Sequence, residues 1–165
     1  MKKIMLSYSG NDAAAYAINH ALKPNPKYRY FTVHGSGGGD CTNFVSQCLR
    51  FGGAPFVSLG NNQWWYDKNA CSISWAVAGS LYWYLKINFS ENLHGIKGTE
   101  ISSPSKLSPG DIIFYENSKG RVRHSAIVTS ISGNCPLISQ HTPNLLNVSY
   151  KKDWASKMHF FKISL

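Results

Sequence analysis

The spacing of apolar positions changes along this chain. Before residue 86 they recur at helical intervals, and after residue 106 they alternate or run together as strands do. Asn11 or Asp12 can cap a helix through about Leu22, ended by Pro24 and Pro26. Phe44, Val45, Cys48 and Leu49 fall at i, i+1, i+4 and i+5, predicting a helix from Cys41 that Gly52-Gly53 stops. Ser74 opens another, carrying Trp75, Val77, Ala78, Leu81, Tyr82 and Leu85. Residues 54–70 read as an aromatic-bearing loop and 88–106 as a connection. Strands are predicted at 111–115, 124–131, 136–141 and 159–163, separated by turns at Pro109-Gly110, Lys119-Gly120, Ser132-Gly133-Asn134 and Pro143-Asn144. Helices first and strands after predict an α+β fold with an antiparallel sheet.

The chain has 165 residues, which suits a single domain over 1–165 with a core that needs no disulfides. No apolar stretch approaches the roughly 18–20 residues of a membrane span. The first ten residues lack the apolar stretch of about 7–15 residues that a secretory signal needs. The sequence therefore reads as carrying no export signal, which fits a protein that stays inside, one released by lysis, or one whose leader has been removed.

Seventeen Lys+Arg against eight Asp+Glu give a net charge of +9. Such a balance points to a polyanionic partner, either nucleic acid or an anionic cell wall or membrane surface. The basic residues are scattered, with no block of five or six and no helical stripe, which argues against nucleic acid.

Cys41 and Cys48 lie seven apart, about 10 Å along a helix, too far to bridge each other. No Cys-x-x-Cys is present. Cys48, Cys71 and Cys135 read as inert thiols. Cys41 differs because Gly35-Ser36-Gly37-Gly38-Gly39-Asp40 leads into it and it occupies a first helical turn. Free N–H groups and the helix dipole favour a thiolate there, and the same N–H groups can hold an oxyanion.

A nucleophilic thiol needs a base held by a third polar group. Of His20, His34, His94, His124, His141 and His159, two sit at the ends of predicted neighbouring strands. His124 opens one strand and His141 closes the next, so the pair can meet across an antiparallel ladder. Zinc held by Cys41, His124 and His141 is an alternative, without a paired motif to support it. Asp40 reads as an N-cap and Asp111 as a turn residue rather than as catalytic acids. Trp64, Trp65 and Trp75 read as core or cleft wall.

The run Gly38-Gly39-Asp40-Cys41-Thr42-Asn43-Phe44-Val45-Ser46-Gln47-Cys48-Leu49 resembles the nucleophile motif of the putative amidase domain family, within the papain-like NlpC/CHAP group of cell-wall cysteine amidases and peptidases. Ala13-Ala14-Ala15-Tyr16-Ala17, Trp64-Trp65-Tyr66, Ser74-Trp75, Leu107-Ser108-Pro109-Gly110-Asp111, His124-Ser125-Ala126-Ile127-Val128 and Ser139-Gln140-His141-Thr142 resemble its other blocks, in order, over about residues 8–160. The resemblance implies a papain-like core with Cys41 as nucleophile and His124 as base. The third position is a polar residue on the next strand, assigned to His141, with Gln140 and then Asn144 as alternatives. Side chains alternate along a strand, so only one of Gln140 and His141 can face the site.

The expected activity is cysteine-dependent hydrolysis of an amide, such as a peptidoglycan stem peptide, without cofactor or metal. A non-catalytic binding module on the same fold and a papain-like acyltransferase are the rival readings.

Overall fold

A computed structural model describes residues 6–165. Met1–Met5, and with them half of the opening segment read for an export signal, lie outside the described residues. Helix α1 spans Gly10–His20, and its cap is Ser9 rather than Asn11 or Asp12. The Ser9 hydroxyl accepts from the Asp12 N–H at 3.1 Å, while the Ser9 N–H is tied to the Gly52 carbonyl at 2.8 Å. That tie holds the extended entry a cap requires.

A short hairpin of β1 (Val33–His34) and β2 (Gly37–Gly38) folds the glycine-rich stretch. Helix α2 follows as Cys41–Phe51, and Gly53, at φ +105°, turns the chain away. The helix predicted from Ser74 is two: α3 (Ile73–Ala76) and α4 (Ala78–Ser90), broken at the extended Val77. Trp75, just before that break, is anchored to α2 by both its backbone and its side chain. Its carbonyl accepts from Ser46 and its indole N–H donates to Asn43, so the chain bends to reach the next core layer.

The sheet has six strands in the order β3 (Lys97–Ile101), β8 (Lys157–Ser164), β4 (Ile112–Glu116), β5 (Val122–Ser132), β6 (Cys135–Gln140) and β7 (Leu145–Ser149), every pair antiparallel. The protein is thus α+β, with its helices against an antiparallel sheet. Strand β3 lies inside the segment read as a connection. It lacks an apolar alternation because Gly98 must admit α4. A Cβ there would lie 2.6 Å from a Phe161 ring carbon and 2.9 Å from Leu85 Cβ.

Alternation sorts the sheet residues onto two faces. Ile112, Phe114, Ile127 and Phe161 pack with the helices around Phe44, Leu49, Trp64, Trp75 and Leu85. Ile113, Tyr115, Ala126, Val128 and Ile138 form a second cluster on the other face, covered by the chain around Tyr150 and Ala155. Pro109-Gly110 turns tightly into β4. Asp111 fixes that turn by accepting from the Ser108 N–H at 2.8 Å and the Ile163 N–H at 3.0 Å.

Candidate active site

Cys41 is the first residue of α2, whose leading N–H groups have no intrahelical acceptor. Only 8% of the residue is exposed. Burial pushes its thiol pKa up. A hydrogen bond and the charge of His124, the Thr42 hydroxyl 3.6 Å away and the Ser125 backbone more than offset this and bring it down to about 7. The Thr42 hydroxyl lies 3.0 Å from the Ser125 hydroxyl, which ties the first turn of α2 to strand β5. The His124 strand is thereby held against the cysteine.

His124 is buried, and its Nε2 lies 2.9 Å from Gln140 Oε1. An amide oxygen only accepts, so Nε2 carries the proton and Nδ1 is left to meet the thiol. Gln140 is itself pinned at both ends of its amide. Its Nε2 donates to the Pro143 carbonyl at 3.0 Å, and Lys152 Nζ donates to its Oε1 at 2.5 Å. Lys152 also stands 5.0 Å from the Tyr115 ring centroid. Burial lowers its pKa and the Cys41 charge raises it.

The sequence placed His141 beside His124, and the structure places Gln140 there instead. Gln140 shares a strand parity with Ile138, on the second face of the sheet, and His141 points the other way toward the helices. His141 stacks on Phe44 at a ring distance of 4.0 Å. Its Nδ1 lies 2.5 Å from Asp40 Oδ2 and its Nε2 3.0 Å from the His20 carbonyl.

Asp40 occupies the N-cap position of α2 but makes no capping bond with its side chain. Besides His141, it accepts from the Phe31 N–H at 2.8 Å and from the Asn43 amide at 2.7 Å. This buried pair fastens α2 to α1 and to the end of β6. The trio Cys41, His124 and His141 is not brought together. Asn144 accepts from the Tyr30 hydroxyl and the Thr142 N–H, away from His124. Lys152 is the feature the sequence reading missed. It sits in the loop after β7, among scattered lysines, with no local pattern to mark it.

A cavity of about 160 Å³ opens beside the thiol, floored by Gly37–Gly39 and walled by Thr42, Val77, Val122 and Arg123. It meets a broader groove of about 740 Å³ across Val77 and Val122, lined by Asn61, Gln63, Ile73, Ser80 and Trp83. Trp83 is 58% exposed. Among the described residues the groove wall holds no charged side chain, and Arg123 is the one charged residue around the cavity.

Residues 7–164 match the family model described as "Putative amidase domain". The chain belongs to this amidase-domain family, whose description points to hydrolysis of amides. It is 37% identical over 139 residues to the Bacillus subtilis (strain 168) protein "Uncharacterized protein YhbB", covering 82% of this chain and 42% of that protein. It is 35% identical over 150 residues to "Uncharacterized protein YjcM" of the same organism, covering 86% of this chain and 32% of that one. The chain therefore spans less than half the length of these relatives. No solved structure matches it significantly.

Proposed function

We propose that the protein is a cysteine amidase or peptidase of the papain-like NlpC/CHAP kind, with Cys41 as nucleophile, His124 as base and Gln140 in the third position. One observation carries the reading. The thiol at the start of α2 is drawn down to about 7 against its own burial, chiefly by a histidine whose far nitrogen is held by an amide oxygen.

The Cys41 thiol gives its proton to His124 Nδ1, the resulting thiolate attacks the amide carbonyl carbon, and the carbonyl oxygen takes the negative charge. The Cys41 N–H, at the positive end of α2, is suited to receive it. His124 Nδ1–H then gives its proton to the leaving nitrogen, the C–N bond breaks and a thioester remains. Water loses a proton to Nδ1, attacks the thioester, and releases the carboxylic acid as the thiol re-forms. Gln140 keeps Nε2 protonated throughout, so Nδ1 faces the reaction.

The uncharged groove beside the cavity fits a neutral, partly apolar stretch of substrate, and the +9 surface suits an anionic wall around it. Together these favour a cell-wall stem peptide or a related amide. Incubating the protein with purified peptidoglycan and weighing the fragments by mass spectrometry tests the reading. New amine and carboxyl ends that vanish with Cys41→Ala are expected. An intact polymer, or release unaffected by Cys41→Ala, would overturn it.

A further inference from the structure

The site holds a cation that the mechanism above does not use. Lys152 Nζ lies 2.5 Å from Gln140 Oε1, the same oxygen that takes the His124 Nε2–H. Its side chain is half-buried, and its ammonium stands 5.0 Å from the Tyr115 ring centroid. Among the described residues no carboxylate is within ion-pair distance of Nζ. A partly desolvated lysine without a carboxylate is costly unless an acceptor answers it, and the acceptor here is Gln140 Oε1.

We propose that Lys152 is a positioning residue for the Cys41 site: it pins the Gln140 amide oxygen toward His124, and through His124 it holds the Cys41 thiol in its reactive setting. This rests on the Cys41–His124 reading given above. Two hydrogen bonds support it. Lysine can only donate, so it accepts no flipped Gln140 amide; with the Pro143 carbonyl on the amide nitrogen, the orientation is enforced from both ends.

The test is the rate of Cys41 alkylation by iodoacetamide against pH, which needs no substrate. Wild type, Lys152→Met, Lys152→Gln and Lys152→Arg are compared, with peptide mapping to isolate Cys41. Both neutral variants should raise the midpoint by roughly half a unit or more, and the arginine variant should restore it. A wild-type midpoint near 7 that neither neutral variant moves overturns the role of Lys152 alone. A wild-type Cys41 that behaves as an ordinary thiol, at about 8.5, overturns the underlying Cys41–His124 reading instead.

Discussion

His124 Nε2 and Gln140 Oε1 lie 2.9 Å apart, both residues buried, at the ends of neighbouring strands β5 and β6. The contact fixes which nitrogen of the imidazole is free for chemistry. It also separates two adjacent residues, Gln140 and His141, into different roles.

Gln140→Ala should lower kcat by roughly 10²-fold in the folded protein, since the imidazole loses its orienting acceptor. His141→Ala should act on stability and not on kcat. It strands the Asp40 carboxylate, which is 1% exposed, and should destabilise the fold by about 3–5 kcal/mol. Below its lowered melting temperature, kcat should be retained. Thermal melts and steady-state kinetics on the two variants check the split.

Stability should rise with pH between about 7 and 9. The Cys41 thiol has its folded pKa drawn down to about 7 from an ordinary 9.0, so the thiolate stabilises the fold above that range. The contribution is lost as pH falls through 7. Urea melts from pH 6 to 9 on wild type and Cys41→Ala should differ in slope within that window, and coincide in slope below it.

Trp83→Ala should raise KM several-fold with kcat nearly unchanged. Trp83 stands exposed over the uncharged groove and away from the thiol, so it contributes binding area without touching the reacting bond. Initial-rate kinetics on a defined amide substrate check it.

Gly98→Ala should cost about 1–3 kcal/mol, because its methyl would be driven into Phe161 and Leu85 where α4 meets the sheet. A denaturant titration measures the loss.

Much of the candidate site's layout was legible in the sequence because its pieces are local. The glycine run, Cys41 and the helix that follows are contiguous, and His124 opens an apolar strand. What the sequence could not yield depends on parity and on distance along the chain. Gln140 and His141 are neighbours of equal polarity, and a strand's absolute facing is set by what it packs against. Ile138 goes to the second core cluster, and Gln140 goes with it. Lys152 reaches the site from the turn after β7, a link that no spacing reveals. The fold was missed in the same places. Strand β3 hides behind a glycine required by α4, and the break at Val77 follows from the anchoring of Trp75 by Ser46 and Asn43 rather than from any helix-breaking residue. Asp40 was read as a cap from its position, while its side chain serves His141, a partner 101 residues away.

The most direct measurement of the central claim is the pH dependence of Cys41 alkylation in wild type and in His124→Ala. Coupling of thiol and imidazole predicts a wild-type midpoint near 7, faster labelling of Cys41 than of the exposed Cys135, and a clear upward shift when His124 is removed. A midpoint at about 8.5, as for a free thiol, unchanged by His124→Ala, would contradict it.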